Sequence, residues 1–135
     1  QGKIEPTTFA SIIEQVAAMY HDAPAMVERN NHGHAVIASL KERDVRVLCG
    51  HDGKPGWLSS QKGKALLYSA AADCVRDEEV KIRCAETFAQ LASIEGGTLR
   101  APEGDHDDLA DAFALACVAL GDPSVVRRPV RVMGR

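Results

Sequence analysis

Val45-Arg46-Val47-Leu48-Cys49 is the clearest strand signal in the chain. β-Branched and aliphatic residues fill the run, and a turn-rich loop from Gly50 to Gly56 follows at once. Upstream, residues 32–42 read as a helix with Val36, Ile37 and Leu40 inward, capped by Asn30 or Asn31. Before it, Ala25-Met26-Val27 reads as a short buried strand that ends at Glu28. An amphipathic helix over 7–20 opens the chain, capped by Thr7 or Thr8, with Phe9, Ile12, Ile13, Val16 and Tyr20 on one face. Downstream, Ser59 or Ser60 starts a helix to about Cys74 that carries Leu66, Leu67, Ala70 and Ala71. Val80-Lys81-Ile82 and Thr98-Leu99-Arg100-Ala101 are the remaining short strand signals. Between them a helix from Cys84 to about Ile94 stops at a left-handed Gly96-Gly97. The last helix runs from Asp105 to Leu120, ended by Gly121 and Pro123. Helices alternating with short aliphatic runs predict an α/β layer protein, with active groups at strand ends.

The 135 residues suit one domain, predicted over 1–121, with a basic tail over 122–135. Hydrophobic residues at 45% and charged residues at 26% are those of an ordinary globular protein. One Trp, two Tyr and three Phe leave the core to Ala, Val, Leu and Ile. That scarcity disfavours a module that stacks single-stranded bases on aromatic rings. The net charge of −3 gives no global basic field. Residues 127–135 nevertheless hold Arg127, Arg128, Arg131 and Arg135 and no acid, so a +4 tail sits on a −7 body. Such a tail suits phosphate contact or simple solvation. Cys49, Cys74, Cys84 and Cys117 form no CxxC pair, and the last three lie in apolar helical patterns, as expected of buried thiols in a reducing compartment. No signal peptide or membrane-spanning run is visible, so the expected location is the cytoplasm.

Chemistry concentrates in Gly104-Asp105-His106-Asp107-Asp108-Leu109-Ala110-Asp111-Ala112. A helix start uses one capping carboxylate, with Asp105 as cap and Asp108 at its third position. Asp111, beyond the first turn, is not explained that way. On a helical wheel Leu109, Ala112, Phe113, Ala116 and Leu120 share one face, and Asp107, Asp108 and Asp111 occupy the rest. Clustered carboxylates repel, and a bound Mg²⁺ or Mn²⁺ would relieve the repulsion with hard oxygen ligands. Two such ions can activate water and stabilise a leaving oxygen in phosphodiester cleavage. One helix cannot surround two metals, and Glu28, at the end of its strand, is the expected second source.

Glu28-Arg29-Asn30-Asn31-His32-Gly33 resembles the E-x-N-x-x-G element of the nuclease domain of tailed-phage terminase large subunits. His106-Asp107-Asp108-Leu109-Ala110-Asp111-Ala112 resembles that family's H-D-D-x-x-D-A element. Trp57-Leu58-Ser59-Ser60-Gln61-Lys62 is similar to the segment leading into its middle helix. The resemblance covers roughly residues 3–120 and implies an RNase H-like mixed sheet flanked by helices. It implies a divalent-metal endonuclease that cleaves double-stranded DNA during genome packaging, in the host cytoplasm, with the terminase small subunit and portal as partners. By this resemblance Glu28 is the second metal-binding acid, Asp107 or Asp108 the third, with Asp108 favoured, and Asp111 a further ligand. The family's first catalytic aspartate falls before the region where this chain begins; Glu5, Glu14 and Asp22 do not end a strand of the expected kind. The expectation is therefore an N-terminally truncated domain.

Lys62 and Lys64 at the start of the middle helix, with Arg127 and Arg128, are the candidate DNA contacts; a solvated face is the plain alternative for the lysines. No G-x-x-x-x-G-K-[ST] loop is present, which excludes a P-loop ATPase in this chain. His32 and His34 lack the spacing and cysteine partners of a zinc site. His106 suits either a water or phosphate contact or a plain polar helix start. Trp57 is expected to pack beneath its Gly/Pro loop. A Holliday-junction-type resolvase and a non-catalytic assembly or DNA-docking module are the alternative functions.

Overall fold

The computed structural model describes residues 4–125, which form five helices. These are α1 (Pro6–Met19), α2 (Gly33–Glu42), α3 (Gln61–Arg76), α4 (Ala85–Ser93) and α5 (Asp108–Leu120). Pro6 opens α1, where its fixed φ and missing N–H cost nothing, and Glu5 rather than Thr7 or Thr8 takes the cap position. His32, not an asparagine, precedes α2. Ser60 caps α3 as its sequence suggests, accepting the Gly63 N–H at 3.1 Å. Gly96 and Gly97 do not adopt positive φ, and α4 ends at Ile94 in extended conformation.

The expected α/β class, and with it the RNase H-like mixed sheet, is corrected: no strand forms among the described residues. Extended chain near Ala25–Arg29, Val45–Cys49 and Pro55–Trp57 is joined by isolated bridges only. The reason is visible in the hydrogen bonds. Ala25 exchanges bonds with Arg46 and Leu48, whereas Val27 and Arg29 bond to Trp57. The bonded edge of 25–29 is split between two partners, so neither gains the consecutive bridges that make a ladder. Residues 80–83 stay irregular, and 98–100 turn, with Leu99 at φ 54°.

Helices therefore carry the core. Ala10, Val27, Val36, Ile37 and Leu40 form one cluster, where α1 meets α2. Trp57, Leu67, Ala71, Cys74, Ala114 and Cys117 form the other, between α3 and α5. Val27 joins the first cluster and Met26 packs against the second, so the period-two alternation of extended chain lets one segment face both helix pairs. Ala71, Cys74, Ala114 and Cys117 are small, which lets α3 and α5 approach closely. Trp57 is buried beneath its loop with its ring edge-on to His51 at 5.0 Å. The face expected to bury α1 is rotated: Ala10 and Ile13 turn inward, while Phe9, Ile12 and Val16 stay more than two-fifths exposed. Cys49 and Cys84 are exposed, contrary to the buried thiol expected at Cys84, and Cys74 and Cys117 are buried. No helix among the described residues is long and apolar enough to cross a membrane.

Candidate functional site

The first acidic motif has a structural logic of its own. A Cβ at Gly33 would collide with the Glu28 carbonyl oxygen, so α2 can begin this close to the end of the extended segment only with glycine there. The Asn30 side chain accepts from the Ser59 N–H at 2.9 Å and donates to the Ser59 carbonyl at 3.3 Å. Arg29 donates its N–H to the Trp57 carbonyl at 2.7 Å. The Glu28–Gly33 and Trp57–Lys62 segments are thus tied together, and the tie sets where α3 starts. The buried Arg29 guanidinium pairs with Asp52, holding that carboxyl at about 2, well below the usual carboxylate range.

From that start, Lys64 and Tyr68 project one turn apart toward α5. Lys64 Nζ lies 3.0 Å from Asp111 Oδ2 and 3.7 Å from Asp107 Oδ2. The Tyr68 hydroxyl donates to Asp111 Oδ1 at 2.6 Å. Burial, the hydrogen bond to Asp111 and the negative charges of Asp111, Asp107 and Glu28 all push the Tyr68 phenol far above its ordinary pKa. Glu28 therefore shares the electrostatic environment of Asp107 and Asp111, although about eighty residues separate the two motifs.

Asp108 is placed differently. It is exposed as the first residue of α5, and no hydrogen bond or ion pair among the described residues engages its carboxylate. The buried line of α5 is Ala110, Ala114 and Cys117, whereas Ala112 and Ala116 of the expected inner face are exposed. At about 100° per residue, Asp107 and Asp111 lie about 60° and 100° from Ala110, and Asp108 about 160° away. Asp105 and His106 are exposed, and Asp105 does not cap the helix. Gln90 of α4 does so instead: its side-chain oxygen accepts from Leu109 N–H at 2.8 Å and Ala110 N–H at 3.4 Å.

Lys62 is exposed on the first turn of α3. Lys64 is engaged with the carboxylates rather than free for phosphate. Arg127 and Arg128 lie outside the described residues. Beside Lys64 opens a cavity of about 530 Å³, lined by Ser59, Ser60, Gln61, Thr98 and Arg100 among others. Tyr68, which bonds Asp111, and Gln90, which bonds the first amides of α5, are residues of this site that the sequence reading did not single out. A hydrogen-bonding residue one helical turn after Lys64 was the available signal for Tyr68.

The oxygen donors suit Mg²⁺ or Mn²⁺, but their arrangement does not. Among the described residues no three His, Cys, Asp or Glu side chains are disposed to hold one ion. Both Asp111 oxygens are already engaged, and the ammonium of Lys64 supplies the positive charge. Compared with known proteins, the chain matches no family model and no curated protein.

Proposed function

We propose that the chain is the endonuclease domain of a phage DNA-packaging terminase large subunit, acting on double-stranded DNA with Mg²⁺ or Mn²⁺. The reading rests on the motifs and not on the fold. One observation carries it: α3, whose start is tied to the Glu28–Gly33 segment by the Asn30–Ser59 hydrogen bonds, engages Asp107 and Asp111 through Lys64 and Tyr68, so residues of motifs far apart in the chain meet on one helix. The cavity beside Lys64 holds Ser59, Ser60, Thr98 and Arg100, a set of hydroxyls and a cation suited to phosphate oxygens. In this role Arg100 and the exposed Lys62 contact the DNA backbone, with Arg127 and Arg128 as further phosphate contacts. Of Glu28, Asp107 and Asp111, Glu28 is the exposed one, at the end of its segment. The terminase small subunit and portal are the partners this reading brings.

The test is nicking of supercoiled plasmid by the full chain in Mn²⁺, with EDTA and the Glu28→Ala, Asp107→Ala and Asp108→Ala variants. Loss of cleavage with EDTA, Glu28→Ala and Asp107→Ala supports the reading. Cleavage that survives in Glu28→Ala and Asp107→Ala alike refutes it. A second reading, a non-catalytic assembly or DNA-docking module, is favoured by the Lys64 ion pairs, which neutralise the acids without any metal. It predicts DNA binding without cleavage and no Mn²⁺-induced rise in melting temperature.

A further inference from the structure

We propose that the cavity between α2 and the Gly50–Gly56 loop binds a phosphate monoester. The inference goes beyond the reading above, since this cavity shares no lining residue with the one beside Lys64 and calls for no metal. At about 550 Å³ it lies within the size range of small-ligand sites. Arg29, His34, Lys41 and Lys54 are its polar side chains, and no carboxylate belongs to its wall. The chain holds 19 Asp and Glu against 16 Lys and Arg, so a wall with bases alone runs against the overall charge. Neither Lys41 nor Lys54 forms an ion pair among the described residues.

The fold holds these bases in place. The Arg29 side chain is only 9% exposed, and Asp52 accepts from its two terminal nitrogens. A guanidinium carries five N–H donors, and that pairing leaves Nε unused. Trp57 Nε1 is the one buried side-chain nitrogen or oxygen without a partner among the described residues, so Arg29 Nε is open to solvent. Asp52 also accepts the Lys54 N–H at 3.2 Å, which ties the loop that carries Lys54 to Arg29. The loop closes on itself: Gly50 donates to the Lys54 carbonyl at 2.8 Å, and Gly53, at φ 73°, makes the turn. On α2, His34 and Lys41 flank Ile37 at helical spacing, so all three lie on one face. Ile37, Pro55 and Leu58 give the cavity an apolar part. A phosphate monoester carries about 1.5 to 2 negative charges at pH 7 and three acceptor oxygens. The two unpaired ammonium groups and the spare guanidinium N–H match that head, and the apolar residues take its carbon body. Inorganic phosphate has no such body to place there. A free mononucleotide and the 5′-phosphorylated end of a DNA strand present the same group.

The test is calorimetric titration of thymidine 5′-monophosphate into the full chain at low ionic strength, in EDTA so that the outcome is separate from any metal-dependent cleavage. The wild type should bind with a Kd below about 1 mM, and thymidine, which lacks the phosphate, at least about tenfold more weakly. Lys41→Gln and Lys54→Gln should each weaken binding about threefold and together about tenfold, while Lys81→Gln, at an exposed lysine outside this wall, should leave it unchanged. Equal binding of thymidine, equal binding by the double variant, or no binding at about 10 mM ligand overturns the proposal. A measurement on the wild type alone covers a variant that fails to fold. Acylation of Lys41 and Lys54 by an N-hydroxysuccinimide ester, followed by mass spectrometry, should slow in saturating mononucleotide while that of Lys81 stays constant, and unchanged rates at Lys41 and Lys54 overturn the proposal. Competition with short duplexes names the source. Displacement by a 5′-phosphorylated duplex and not by its 5′-hydroxyl counterpart assigns the site to strand ends, and displacement by neither assigns it to a free mononucleotide. Equal displacement by both overturns the monoester assignment.

Discussion

Replacing Gln90 by alanine should destabilise the protein although the residue lies on a different helix from the amides it caps. Its side-chain oxygen takes the Leu109 N–H at 2.8 Å and, more weakly, the Ala110 N–H at 3.4 Å. Both belong to the first turn of α5, whose amides have no partner within the helix. Loss of a side-chain cap costs typically about 1 kcal/mol, within about 0.5–2. Ala110 is fully buried, so its amide would be poorly placed to bond water instead. A buried donor left without a partner costs about 1–3 kcal/mol, and the long second bond claims only a small part of that. The sum is about 1.5 kcal/mol, or a fall of about 5 °C in Tm for a domain of this size. Urea denaturation should show a lower midpoint with an unchanged slope. Amide exchange at Leu109 and Ala110 should quicken more than at the middle of α5. The paired control is Asp105→Ala, which removes the cap expected from sequence and should stay within about 0.5 kcal/mol of the wild type. A Gln90→Ala effect below that level, or an Asp105→Ala effect above about 1 kcal/mol, would refute the assignment.

Gly33→Ala should cost about 1–3 kcal/mol, because its methyl group meets the Glu28 carbonyl, while Gly96→Ala meets nothing and should be neutral by thermal melting. Tyr68 has its pKa raised in the folded state by burial, by its bond to Asp111 and by three acids. Its contribution is thus whole below the unfolded value of about 10 and is lost as pH rises above it, since the unfolded chain loses the proton first. Wild-type stability should accordingly fall more steeply from pH 9 to 11 than that of Tyr68→Phe, and parallel curves would refute this. Among the thiols, exposed Cys84 has its pKa lowered by the Thr87 hydroxyl and by N–H groups at the start of α4, whereas burial pushes Cys117 up to about 12. A disulfide reagent at pH 7.5 should therefore label Cys84 within the native state and Cys117 only on unfolding.

The helices were legible because each carries its own periodic signal. Val36, Ile37 and Leu40 mark α2, and Ser60 followed by Leu67 and Ala71 marks α3, all within one or two turns of chain. The sheet was misread for a reason that local pattern cannot reveal. Val45–Cys49 has the composition of a strand, but a strand also needs a partner that stays in register for several residues. Ala25–Arg29 divides its bonded edge between Arg46–Leu48 and Trp57, a division set by the loop from Gly50 to Gly56. Distant sequence neighbours likewise decide the α5 cap. Gln90 stands nineteen residues before Leu109, and nothing near Asp105 hints that another residue has taken its task.

The site was half legible, and its two halves differ in kind. That Glu28 and the α5 aspartates belong together is a statement about motif order, read from the sequence alone. Which aspartate faces α3 is a statement about helix phase. Taking Leu109, Phe113 and Leu120 as the inner face puts Asp108 at the core border. The helix instead buries its smallest residues, Ala110 and Ala114 with Cys117, because α3 brings Ala71 and Cys74 against them and leaves no room for larger side chains. That choice rotates α5 so that Asp107 and Asp111, not Asp108, look across at Lys64 and Tyr68. Close packing of small residues thus decides which carboxylates meet the lysine. Enlarging Ala114 would overpack the contact that fixes this phase and destabilise the α3–α5 pair. The electrostatics of the site are in this sense a consequence of the α3–α5 core.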